Sequence, residues 1–284
     1  MSKYAEVFVL ITSLNVYTPE KRKGIRGIFD KLRRDRVCVE IKHARGVGVK
    51  QLTYINRSGR LCLDKIDKAI GSQRTRLLCC ENICFPKNSG YKRFYSPLFS
   101  ARLSGNMAVQ ALSLCKNAKK MNVAVYDPDA GSTGLAGSLL EYTNNVSVIT
   151  DNPEPYYEEI NAIADETGAC AVVTHSRNQL LNCNLIVAPF EIEEKLPVSS
   201  ETVVLTAARP KNNVSGLVYF RYNFKMPNGF ALLKPEGLSE EYFCSALYTL
   251  AAQYELGSIV PDLCCNENEA QTVKSLCAYL ERFA

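Results

Sequence analysis

Apolar residues along the chain fall into short runs separated by polar, glycine- or proline-marked stretches, and their spacing changes partway through. In the first 120 residues the runs predict a mixed α and β unit. A strand is expected over Ala5–Thr12, then a basic helical stretch from Pro19 to Arg34, with Pro19 at the first helical position, where its missing N–H matters least. Strands follow at Val37–Lys42 and Val47–Ile55. The second is expected to turn through Asn56-Arg57-Ser58-Gly59 into Arg60–Leu63 as a hairpin. A short helix (Asp64–Ile70) and a strand (Thr75–Cys80) come next. From Pro97 to Lys120, Leu98, Phe99, Leu103, Met107, Ala111 and Leu114 recur at helical spacing.

From residue 121 short apolar runs alternate with helical ones. Val123–Tyr126, Val146–Thr150, Cys170–Thr174, Cys183–Val187 and Val203–Thr206 read as strands. A helix is expected over Leu135–Tyr142, and another opens at Pro153 and stops near Gly168. Strands this short and this apolar belong to a parallel sheet covered on both faces. Strand-like residues at Leu217–Tyr222 and helical stretches at Glu240–Leu256 and Glu269–Arg282 close the chain. The expected fold class is α/β. The domain reading is a basic mixed domain over 1–120, a parallel-sheet domain over 121–208, and C-terminal strand and helices over 209–284.

Composition narrows the class. At 46% apolar and 22% charged residues, the chain of 284 residues is of folded type. No run is apolar over the roughly 18 residues that a membrane span needs. Twelve cysteines are present, but Cys79-Cys80-x-x-x-Cys84 and Cys264-Cys265 lack the paired C-x-x-C knuckles of a structural zinc site. Most lie among apolar residues, so the expectation is reduced thiols, a cytoplasmic setting and no metal. Charge is uneven: residues 1–120 hold 25 Lys and Arg against 8 Asp and Glu, and residues 121–284 hold 9 against 21. The preferred account is two oppositely charged domains that attract across a cleft or a homodimer interface. A nucleic-acid contact by the basic half stays open, although no nucleic-acid module is recognisable.

One segment carries candidate chemistry. Strand VAVY leads through Asp127-Pro-Asp129-Ala into Gly131-Ser132-Thr133-Gly134-Leu-Ala-Gly137 and a helix, and Asp151 ends the next strand, 20 residues after Gly131. This resembles the NAD(P)-binding Rossmann superfamily over roughly a third of the chain. The resemblance implies that the turn's N–H groups and the helix N-terminus hold a pyrophosphate, with Asp151 on the ribose and NAD favoured over NADP. The pattern departs from the family: it is G-x-x-G-x-x-G, and Asp127 and Asp129 occupy the two leading glycine positions. Asp-x-Asp after an apolar strand is also similar to the first motif of haloacid-dehalogenase-type phosphatases, where one acid is the nucleophile, the other the general acid/base, and Mg²⁺ offsets their charge. The acid pair that would close such a metal site has no counterpart here.

His175, after strand CAVVT, stands at the edge where α/β sheets bind ligands. Candidate catalytic residues are therefore Asp127, Asp129 and His175. Candidate cofactor contacts are Gly131, Ser132, Thr133, Gly134, Gly137 and Asp151. Three functional readings follow: a domain binding NAD or another anionic small molecule, with an NAD-dependent oxidoreductase as its enzymatic form; a non-catalytic, degenerate Rossmann-like protein for ligand sensing or assembly; and a Mg-dependent phosphohydrolase acting through Asp127 and Asp129.

Overall fold

The structure is a computed structural model that describes residues 9–20, 34–71 and 73–283. Most of the basic helix expected over 19–34 lies outside the described residues. Contacts along the chain divide it into two compact units, Met1–Ser96 with Met226–Gln253, and Pro97–Lys225 with Tyr254–Ala284.

The first unit is built on a four-stranded sheet of order β2-β3-β1-β4, comprising β1 (Val9–Tyr17), β2 (Arg36–Ala44), β3 (Val47–Ile55) and β4 (Leu77–Cys79). β1 lies parallel to β3 along its whole length, Val9 opposite Val47 and Tyr17 opposite Ile55, and parallel to β4 on its other side. Pairing on both edges carries β1 through the polar residues Thr12 and Ser13, which are buried; alternation alone stopped the strand at Thr12. The hairpin joins β2 to β3, not β3 to Arg60–Leu63. Arg45 and Gly46 both adopt positive φ (49° and 72°), as a two-residue hairpin matching strand twist demands.

Residues 56–62 form a loop leading into helix α1 (Leu63–Ile70). Asp35 fixes that loop: its carboxylate accepts the N–H groups of Arg57 (2.6 Å) and Ser58 (2.9 Å) and the hydroxyls of Ser58 (2.6 Å) and Tyr54 (3.0 Å). Leu14, Leu52, Tyr54, Ile66, Ile70 and Leu77 make the core beneath.

The second unit opens with helix α2 (Leu98–Leu114), whose Phe99, Leu103, Met107, Ala111 and Leu112 are buried. Its sheet has six parallel strands: β5 (Asn122–Tyr126), β6 (Asn145–Ile149), β7 (Val172–Thr174), β8 (Leu185–Ala188), β9 (Val203–Thr206) and β10 (Leu217–Tyr219). They run in the order β10-β9-β8-β5-β6-β7. Counted from β5, this is 3-2-1-4-5-6, the strand order of a doubly wound dinucleotide-binding sheet.

Only the first half keeps full helical crossovers, α3 (Leu135–Leu140) and α4 (Glu154–Thr167), the latter ended by Gly168 at φ 74°. A six-residue 3₁₀ turn (Arg177–Asn182) joins β7 to β8, and irregular loops join β8, β9 and β10. The run read as Leu217–Tyr222 divides between β10 and a separate antiparallel sheet of β11 (Arg221–Asn223), β12 (Leu263–Cys265) and β13 (Ala270–Thr272).

Helices α5 (Asn228–Ala231) and α6 (Glu240–Leu250) belong to the first unit, α7 spans Gln253–Gly257, and α8 (Val273–Leu280) packs on α2. All twelve cysteines are free. Among the described residues no helix is long and apolar enough to cross a membrane.

The Asp35 loop gives a pH-dependent prediction. Partial burial disfavours the charged carboxyl, but its hydrogen bonds from Ser58, Arg57 and Tyr54 outweigh that and hold its pKa at about 2, below the ordinary 3.8. The stabilisation it confers is complete above 3.8 and is lost as pH falls from there through about 2. Urea midpoints measured across that window are expected to drop in the wild type, and the drop should be smaller in Asp35→Asn.

Candidate functional site

β5 delivers Asp127 to the carboxyl end of the sheet, where doubly wound folds bind ligands. The strand's last backbone pairing continues one residue further, Asp127 N–H donating to the Ile149 carbonyl at 3.0 Å. That pairing fixes the direction of the side chain. The carboxyl turns inward, fully buried, beneath the glycine turn. Its Oδ1 accepts the Gly131 N–H at 3.1 Å, and its Oδ2 accepts the Ser132 N–H at 2.8 Å. Oδ2 also accepts the hydroxyl of Tyr156 at 2.7 Å, from the first turn of α4. Burial and the neighbouring Asp127 carboxylate both push the Tyr156 hydroxyl well above its ordinary pKa, so it remains a proton donor.

Pro128 ties the turn to the adjacent strand. Its carbonyl accepts the Asp151 N–H (3.0 Å) and the hydroxyl of buried Thr150 (3.1 Å). Asp129, next in sequence, points into solvent, so the two acids part company: one is core, the other surface. Gly131 admits the ring of Phe190, which follows β8; a Cβ there would stand 2.7 Å from the ring. Gly134, at φ 90°, is the N-cap of α3. Gly137 lets α3 lie against α4, since a Cβ would meet Ile163 at 2.7 Å, and its N–H donates to Glu159 at 3.0 Å. The other Glu159 carboxylate oxygen is buried with no hydrogen-bond partner among the described residues. Ser132 is half-buried, and Thr133 is exposed.

Asp151, two residues past β6, lies on the surface in a forked pair with Arg177, whose two terminal nitrogens each lie 2.7 Å from a carboxylate oxygen. The same guanidinium reaches Glu194 through its Nε (2.9 Å), and Glu194 accepts the Tyr126 hydroxyl (2.6 Å). The bond to Arg177 holds the Asp151 carboxyl below its ordinary range. This chain of groups runs across the carboxyl ends of β5, β6 and β7. His175 is exposed at the end of β7, two strands from Asp127 and so roughly 10 Å away at the usual strand spacing; its carbonyl accepts from Arg177 at 2.9 Å.

The arrangement thus brings Asp127, Gly131 and Ser132 into direct contact, sets Asp151 and the His175 carbonyl beside Arg177, and leaves Asp129 apart from them. Tyr156, Arg177, Glu194 and Phe190 complete it, and sequence reasoning did not single them out. A tyrosine just inside the helix opened by Pro153 and an arginine two residues after His175 were the available signals. Neither has a spacing that marks a role. Among the described residues no cluster of three or more His, Cys, Asp or Glu could hold a metal ion.

Strand order, glycine turn and acid-ended second strand together define a Rossmann-like α/β protein. No family model matches the chain, and no curated protein matches it. Among solved structures it is similar to the Δ(1)-pyrroline-2-carboxylate reductase of Thermococcus litoralis in complex with NADH and L-proline, at 15% identity and a TM-score of 0.27, over 42% of this chain and 39% of that one. It is also similar to L-tryptophan dehydrogenase from Nostoc punctiforme, at 12% identity and a TM-score of 0.30, over 72% of this chain and 64% of that one. A third is the iminosuccinate reductase of Paracoccus denitrificans in complex with NAD+, at 15% identity and a TM-score of 0.29, over 42% and 39%. The chain therefore spans less than two thirds of the length of each of these three.

The two ends of the site should differ sharply in energetic weight. Asp127→Ala leaves two N–H groups and a buried tyrosine hydroxyl without their acceptor and is expected to destabilise the fold by about 3 kcal/mol or more. Arg177→Ala breaks pairs whose acids are half exposed, and should cost about 1 kcal/mol or less. Urea denaturation of both variants checks the contrast; equal losses would refute it.

Proposed function

We propose that this protein is a non-catalytic, ligand-sensing protein built on a Rossmann-like domain, in which the glycine turn serves the fold and not a dinucleotide. One observation carries the reading: the Asp127 carboxylate already accepts the Gly131 and Ser132 N–H groups that a pyrophosphate would need. A pyrophosphate at that place would meet a buried like charge a few ångströms away. Expelling the carboxylate would in turn leave the Tyr156 hydroxyl without its acceptor. The residues present therefore do not fit NAD in the manner the superfamily implies.

Two further features agree with this. Helix α3 has only six residues, so the helix N-terminus contributes a weak field to the turn. Asp151, at the ribose position, is engaged by both terminal nitrogens of Arg177. The phosphohydrolase reading needs Asp127 as a nucleophile or acid/base, and a carboxylate with 0% exposure does not reach a substrate.

The test is thermal unfolding with NAD⁺, NADH, NADP⁺ and Mg²⁺ at millimolar concentration. A ligand at ten times its Kd would add about 1.4 kcal/mol and raise the Tm by roughly 3 °C. No shift is expected with any of them. A saturable rise with a dinucleotide would overturn the proposal, and one with Mg²⁺ that vanishes in Asp127→Asn would revive the phosphohydrolase.

A further inference from the structure

The first unit has its own ligand-type opening. β1, β3 and β4 are parallel, and their carboxyl ends (Tyr17, Ile55 and Cys79) emerge on one side of the sheet. A cavity of about 360 Å³ lies there, in the position where open α/β sheets bind ligands. The volume is at the low end for small-molecule sites, so it suits a compact metabolite.

Asn15, Thr18, Asn56, Asn82, Cys80 and Cys84 line it, with no carboxylate among the lining residues. The carboxamides of Asn15 and Asn82 and the Thr18 hydroxyl have no partner among the described residues. The Asn56 oxygen accepts the Gly59 N–H at 2.9 Å, which orients its amide group and leaves the NH₂ free to donate. Cys80 is occupied, its thiol donating to the Gly237 carbonyl at 3.1 Å. The cavity therefore offers unused amide and hydroxyl donors, amide oxygens as acceptors, and no negative charge.

Charge gives the rest of the ligand's description. Arg60 is exposed and stands between Gly59 and Leu61, both of which line the cavity, while the exposed Glu81, between the lining Cys80 and Asn82, is paired with Arg93 at 3.5 Å. The described residues of this unit, 9–20, 34–71, 73–96 and 226–253, hold 15 Lys and Arg against 9 Asp and Glu, so the surrounding field favours an anion. Oxyanion oxygens would accept from the amide NH₂ groups and Thr18, while ligand hydroxyls would donate to the amide oxygens.

We infer that this cavity binds a small oxyanion bearing hydroxyl groups, a hydroxy carboxylate or a sugar phosphate, held by Asn15, Thr18, Asn56 and Asn82. The inference extends the non-catalytic reading without resting on the glycine turn. NAD binding would overturn that reading and leave this one standing.

Cys84 is an exposed thiol in the lining, and the exposed Cys38 and Cys170 lie outside it, so they serve as internal controls. The experiment follows N-ethylmaleimide alkylation of the full chain by peptide mass spectrometry. Citrate and glucose 6-phosphate are the probes in separate arms, with sulfate and myo-inositol as anion-only and hydroxyl-only controls. At ten times Kd, a probe should slow Cys84 alkylation about tenfold and leave Cys38 and Cys170 unchanged. Which arm protects tells carboxylate from phosphate. Thr18→Val/Asn82→Leu, at two exposed positions, should abolish protection while leaving the urea midpoint unchanged. The inference is overturned by no protection from either probe, by equal protection from sulfate or myo-inositol alone, or by protection that survives in the double variant.

Discussion

A carboxylate removed from water must find donors or the fold cannot hold it, and Asp127 is fully buried at the point where the second unit's sheet meets its glycine turn. Three donors meet it: two main-chain N–H groups and the Tyr156 hydroxyl. They come from two parts of the local structure. The N–H groups fix the course of the turn, and Tyr156 fixes the start of α4. The last pairing of β5 with β6 sets the carboxylate between them. Much of the carboxyl end of this sheet is thus organised around one buried carboxyl group, which takes up two of the turn's N–H groups.

The surrounding contacts follow from that placement. Once residues 131 and 132 curl over the carboxylate, Gly131 presents a face without a Cβ to Phe190, and Gly137 brings α3 against α4. Pro128, carried between the two strand ends, offers its carbonyl to Thr150 and Asp151. Arg177 then spans Asp151 and Glu194 at the surface. Water competes for those exposed pairs, so they set geometry more than stability.

The first unit solves a similar problem with a different result. Asp35, near the surface, satisfies the N–H groups of the loop after β3, and that loop forms one wall of a cavity whose own side chains are neutral. Here the carboxylate organises the loop from outside the cavity and leaves the Asn15 and Asn82 amides inside it unused. In the second unit the carboxylate occupies the candidate site itself.

What the sequence determined by itself was local. The apolar runs of β5 to β9, the prolines and glycines that bound α4, and the helical spacing of α2 were legible because each is set by neighbours within a few residues. The glycine turn and Asp151 were legible as a fold marker for the same reason. The hairpin was misplaced because Asn56-Arg57-Ser58-Gly59 and Arg45-Gly46 both have turn chemistry, and only pairing between β2 and β3 chooses. The extent of β1 was hidden because polar residues are buried there by strands far away in sequence. The same holds for the site. Asp127 and Asp129 have the same chemistry two residues apart, and no local rule says which turns inward. Tertiary structure decided it, by supplying Tyr156 and two main-chain N–H groups to one carboxylate and solvent to the other.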